Sequence, residues 1–313
     1  STAGVAAGMN IGTATGIAAG TTVASFTANT ITLSIASTHT TPLTAAVFNM
    51  GYDDTLSVGG NLTNNGTFDM SRGNAAGICH VIFNTAGDHT ISGSGTTTRF
   101  RQITVDKSAV TNKVSSAIRV TCSTIAFVYG TWEQSAGRLI ASGTIEVGSL
   151  LDTLCALNII NSGSAAIAGS LNVYGKLFVN TTDSVLVGAG TQKIDLTNGT
   201  KGAVATLTGG TVLVYGKIVS NAASTLTFNG ANIIVDPKGF ATAVPPATDY
   251  AFRTTTGGGS IPFTFSNGTV TILNPNSTTG ANQELQLNSG VAANISGTAT
   301  FVLGQGASTV AST

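Results

Sequence analysis

Charge is the scarcest feature of this 313-residue chain: Asp, Glu, Lys and Arg together make up 8% of it, against roughly a quarter of an ordinary soluble domain. Thirteen basic and thirteen acidic residues cancel. The basic ones are scattered singly, so they assemble no electrostatic footprint for a phosphate backbone, and nucleic acid is not an expected partner. No run of about 18 apolar residues occurs, which removes a spanning helix, and with it membrane insertion, from expectation. The three cysteines, Cys79, Cys122 and Cys155, show no CxxC spacing. They predict neither a zinc site nor a disulfide framework and read as small buried apolar side chains. No segment longer than two turns carries a 3.6-residue period, so helix should be almost absent.

Catalytic chemistry is equally hard to place. His39, His80 and His89 are the only imidazoles. His80 and His89 flank one predicted strand, with Cys79 beside the former and Asp88 beside the latter. Neighbours in a strand point to opposite faces, so Cys79 and His80 do not converge on a metal or a nucleophilic pair. The acids are dispersed, and only Asp53 and Asp54 are adjacent, in a GYDDT stretch that reads as a solvated turn. Polysaccharide cleavage or calcium binding would need clustered carboxylates. Gly257-Gly-Gly259 lacks the lysine and the helix of a phosphate loop. The expectation is therefore no enzyme: no catalytic residue, no cofactor and no metal site. Seven Asn-x-Ser/Thr sequons, at Asn61, Asn65, Asn180, Asn198, Asn267, Asn276 and Asn294, are about what this Asn-, Ser- and Thr-rich composition yields by chance. Thr206-x-Thr208, Thr225-x-Thr227, Thr269-x-Thr271 and Thr298-x-Thr300 recur at unequal intervals, unlike the constant repeat of an ice-facing array.

What the chain does have is glycine, 39 residues of it, and a repeated phrase. GSLNVYGKLFVN at 169–180 returns as GTVLVYGKIVSN at 210–221. In both, apolar residues alternate with period two and glycine recurs at every sixth position: Gly169, Gly175 and again Gly210, Gly216. The frame also fits Gly137 with Gly143, and Gly60 with Gly66, where Asn64 occupies one apolar slot. Alternation places Leu171, Val173, Leu177 and Val179 on one face of extended chain, and the in-phase glycine marks a corner or a close backbone approach. A third VYG, at Val128–Gly130, gives intervals of 45 and 41 residues, which predict coils or hairpin pairs of variable loop length.

A second phrase runs strand, glycine turn, strand: Val81-Ile-Phe83 through Gly87 and His89 to Ile91, and Val185-Leu-Val187 through Gly190 and Gln192 to Ile194. With this pattern and GNLTNNGTF at 60–68, the chain resembles the extracellular β-solenoid proteins of bacterial surfaces over about residues 55–236. The resemblance implies export and a surface role. An all-β fold is expected: a β-solenoid or stacked β core with a small β-sandwich or hairpin part at the C-terminus. Residues 1–52 form an uncharged arm, 53–236 the repetitive core, 237–248 a proline-containing linker, and 249–313 the C-terminal part, where Asn267-Gly268 between alternating stretches predicts a hairpin.

The leading expectation for function is an exported and processed structural protein that polymerises with copies of itself into an extracellular filament, sheath or surface layer. The arm residues Val23, Phe26, Ile31, Leu33 and Ile35 offer an apolar alternation that could add as a strand to a neighbour's sheet edge. The alternatives are a monomeric adhesin that binds surface glycans through shallow Thr/Asn/aromatic grooves and, behind it, a carbohydrate-active β-helix enzyme.

Overall fold

The computed structural model describes residues 8, 10–11, 18, 20–27, 31–36, 48–49, 55–70, 80–109, 111–150, 153–196, 202–220, 223–236, 251–254, 261–273, 285–287 and 291–303. The protein is all-β, with no helix among these residues.

The pairing of the strands follows from the period-two alternation. Strands side by side in one phase put their apolar residues on a common face, which is buried where the ladders face one another across a shared interior, and among the described residues from Thr55 onward every pairing is parallel. The pairs fall into three ladders. The first runs through Thr55–Ser57, His80–Phe83, Gln102–Asp106, the start of Thr124–Gln134, Ile145–Val147 and Leu171–Val173, then 194–196, 218–220, Phe252–Thr254 and Leu285–Leu287. That makes ten rungs among the described residues. The second ladder begins at Leu62–Thr63 and ends in the first half of Val291–Leu303. The third begins at Thr67–Asp69 and ends in the second half of that strand. The chain visits first, second and third in that order and then begins the next circuit.

Register keeps like residues in columns. In the first ladder Val81, Ile103, Ile125, Ile145, Leu171, Ile194 and Ile218 are all buried. In the second, Val114, Trp132, Leu157, Leu177, Ala205, Leu226 and Phe263 form such a column. Large rings concentrate towards the C-terminal rungs, where Phe228 meets Phe252, Phe263 and Phe265 edge-on at 5.5–5.9 Å between centroids, a favoured aromatic geometry. Two polar residues that enter the interior satisfy backbone carbonyls there. Gln134 is fully buried, and its Nε2 donates to the carbonyls of Ile118 at 2.8 Å and Ala136 at 2.6 Å. Asn64, in the apolar slot of its frame, donates to Thr97 O at 2.6 Å and to Thr98 Oγ1 at 2.8 Å.

Three expectations need correction. The repeated VYG does not mark one recurring place. Val173–Gly175 turns the chain from the first ladder to the second, whereas Val214–Gly216 turns it from the third to the first. The 41-residue interval is thus no circuit length, and the 45-residue interval spans two circuits, Gly130 pairing with Cys155 and Ala156 with Lys176. Asn267-Gly268 is no hairpin turn either. Ile261–Ile272 is one strand bent at Gly268, and both halves pair in parallel with Thr225–Val235 and with Val291–Leu303. A hairpin needs antiparallel arms, so the C-terminal part is neither hairpin nor separate sandwich but more rungs of the same ladders. Finally, the arm is not a single extended strand. Val23–Phe26 pairs antiparallel with Ile31–Leu33 in a two-stranded sheet of its own, and Asn10–Ile11 pairs antiparallel with Phe48–Asn49. The linker 237–248 lies outside the described residues.

Candidate functional site: corners and open ends

The glycine frame is structural. At six of the eight repeat glycines, Gly137, Gly143, Gly169, Gly175, Gly210 and Gly216, a Cβ would come within 3.0 Å of the backbone of the preceding circuit. Gly169 lies against Gly143, so corner glycines stack on corner glycines. Gly216 is the tightest: its Cβ would collide with the Gln192 carbonyl, and its φ of 144° is one that side chains rarely adopt. Gly60 and Gly66 differ, because nothing stands within 4 Å of a Cβ there. In the next circuit the close approach onto theirs belongs to Gly93, which lies against Asn64, and Gly95, which lies against Gly66 and Asn64. The Gly93-x-Gly95 spacing carried that signal in the sequence.

The expected assembly residues sit as follows. Val23 is buried and pairs with Leu33, Phe26 pairs with Ile31, and Ile35 lies past the strand, 43% exposed. Thr22 and Ser34 close the sheet on both sides: Ser34 N donates to Thr22 O, and Thr22 N donates to Ser34 Oγ, each at 2.8 Å. These bonds extend the pairing of the two strands by one residue.

The open ends of the ladders were not picked out by sequence reasoning. The strand Val291–Leu303 pairs with Ile261–Ile272 on one side and with nothing on the other among the described residues. It continues the core columns, Ala293, Ile295, Phe301 and Leu303 standing over Phe263, Phe265, Val270 and Ile272. Those four partners are fully buried, whereas Ile295 is 50% and Leu303 54% exposed. At the opposite end Leu56, Leu62, Phe68 and Met70 pack against the core but are only half-buried, and among the described residues the strands of this rung pair only with the next circuit. Their residue types gave a signal: VAANISGTATFVL holds no charge and no proline, the two devices that usually blunt a sheet edge.

His80 and His89 stand on the second rung, directly against the first, and Cys122 and Cys155 lie in later circuits. His80 faces outward and hydrogen-bonds Thr104 Oγ1, while His89 faces inward, its Nε2 2.6 Å from Thr85 Oγ1. Burial, then the charge of Lys107, hold the His89 pKa below 6.5, against an opposing pull from Asp88. Burial pushes the Cys122 thiol up to about 12, so it is an inert apolar side chain; Cys155 is likewise buried. Among the described residues no three His, Cys, Asp or Glu side chains gather in a metal-binding group. Cys79, His39, Asp53 and Asp54 lie outside the described residues. No family model matches the chain, and no curated protein or solved structure matches it.

Proposed function

We propose that this chain is an exported structural protein, a β-solenoid whose subunits stack end to end by strand addition into an extracellular filament. The observation that carries the reading is the pair of open ends. Ile295 and Leu303 belong to core columns yet stand uncovered by described residues, and the first rung offers the same three ladders with Leu56, Leu62, Phe68 and Met70 facing the core. A copy whose first rung continues the columns of the last would pair both open edges and bury both apolar ends. This joint is heterologous and does not close, so it propagates. Near-zero net charge lowers the repulsion that would keep copies apart. The ladder ends are taken as the joint because they carry core columns, whereas Val23–Phe26 and Ile31–Leu33 already pair with each other on one edge. The circuit of three ladders and the resemblance to extracellular β-solenoid proteins of bacterial surfaces fit the same reading, which assigns no catalytic step, no cofactor, no nucleic acid and no membrane insertion.

Negative-stain microscopy of the purified protein over a concentration series tests it. Filaments are expected for the parent protein and dispersed particles for an Ile295→Lys/Leu303→Lys variant of unchanged circular dichroism. Dispersed parent particles at all concentrations, or a variant that polymerises like the parent, would overturn it.

A further inference from the structure

The outer face of the second ladder carries a feature that assembly does not use. Its outward side chains form two columns. One runs Lys113, Thr131, Ala156, Lys176 and Val204; the other runs Ser115, Glu133, Asn158, Phe178 and Thr206. Near the middle a hollow of about 320 Å³ opens. It exists because Ala156 is the smallest side chain of its column, so together with Thr131 it makes a floor, each only 8% exposed, between walls supplied by Lys176, Phe178, Asn158 and Thr206. The volume lies at the lower end of the roughly 300–1,000 Å³ of small-molecule sites, enough for one ring.

The electrostatics of the hollow are one-sided. Lys113, higher in the same column, is neutralised by Glu133 at 2.8 Å, and Ser115 Oγ donates to the same carboxylate. At the level of Lys176 the second column offers Asn158 and Phe178 in place of an acid. Lys176 is exposed and has no ion-pair partner among the described residues. The walls thus present one uncommitted cation, an amide, hydroxyl groups and one aromatic side chain. A sugar ring has an apolar face for the aromatic group and hydroxyls for the amide and the threonines, and a carboxylate on it would answer the cation. A dianionic phosphoryl ligand would favour more than one cation or an arginine fork, and Lys176 is the one cation lining the hollow among the described residues.

We propose that this hollow binds a single carboxylate-bearing sugar unit, a uronic acid, with the carboxylate at Lys176 Nζ and the ring over Phe178. The site is one unit long, so the unit is taken from within a chain or at its end, and affinity per subunit is low, with Kd of about 0.1–1 mM. Repetition along a filament would multiply it through avidity, but the site is complete in one subunit.

The test uses the full chain as the non-polymerising Ile295→Lys/Leu303→Lys variant, or the parent at low concentration, titrated with trigalacturonate, its methyl ester, and inorganic phosphate, followed by NMR or calorimetry. Trigalacturonate is expected to bind, the methyl ester at least tenfold more weakly, and phosphate not to compete. In Lys176→Gln, a change at an exposed side chain, affinity should fall about tenfold with the melting temperature unchanged; Ala156→Leu should fill the hollow and remove binding of both sugars. No binding of trigalacturonate, equal binding of acid and ester, competition by phosphate, or unchanged affinity in Lys176→Gln would each overturn the assignment. Because binding is read on unassembled protein, its failure is distinct from failure to form filaments.

Discussion

Phe265 and Ile295 are partners on adjacent rungs of one column, and nothing in their side chains explains why one is fully buried and the other half exposed. The same holds for Ile272 and Leu303. The difference is the rung above: Phe265 has one, and Ile295 has none among the described residues. In this fold burial is conferred by the next circuit rather than by the strand itself, so an end rung is a core residue set waiting for a neighbour. Middle and end therefore respond differently to the same substitution.

The largest expected effect is in the middle. Phe265→Ala removes a ring that packs against Phe228 and Phe301 and should lower unfolding stability by about 3–5 kcal/mol, whereas Ile295→Ala should cost under about 1 kcal/mol in the unassembled protein. Chemical denaturation of both variants measures the contrast, and equal losses would break the comparison.

A corner contrast comes next. Gly216→Val forces a branched side chain into the Gln192 carbonyl at a strained φ and should lose roughly 3 kcal/mol, while Gly66→Val meets open space and should stay within about 1 kcal/mol of the parent. If both melt alike, stacked corners do not hold the circuits together.

These glycines also measure what the sequence could reveal. Period-two alternation made the strands and their inward faces legible, and the six-residue glycine frame made most corners legible. Circuit length was not, because the same phrase serves two different corners: Gly175 and Gly216 answer the same steric demand in different places. Asn267-Gly268 misled for a related reason. Gly268 has a φ of 103°, which suits a hairpin turn and a corner between parallel ladders equally well. The ends and the hollow were out of reach, because the exposure of Ile295 follows from no further rung standing over it among the described residues, and the hollow depends on register that sets Ala156 between Thr131 and Lys176.

The smallest effect is one of pH. Because burial lowers the His89 pKa below its value of 6.5 in the unfolded chain, the unfolded state binds the proton more readily. His89 contributes its stability in full above about 6.5 and loses it as pH falls through the lower folded-state value. The melting temperature should therefore drop between neutral and mildly acidic pH, less so in His89→Gln, and should respond more in the early rungs than at the Ile295 end. Hydrogen exchange across the pH series separates the two regions; a uniform response would remove His89 as the cause.

Fibre diffraction from aligned assemblies addresses the end-to-end joint most directly. With ladders continuous through the joint, strands lie across the fibre, and the inter-strand reflection of roughly 4.7–4.9 Å falls on the meridian. The ten rungs of the first ladder then give a subunit repeat of about 48 Å. An inter-strand reflection on the equator, or an axial repeat unrelated to ten rungs, would contradict rung-on-rung stacking.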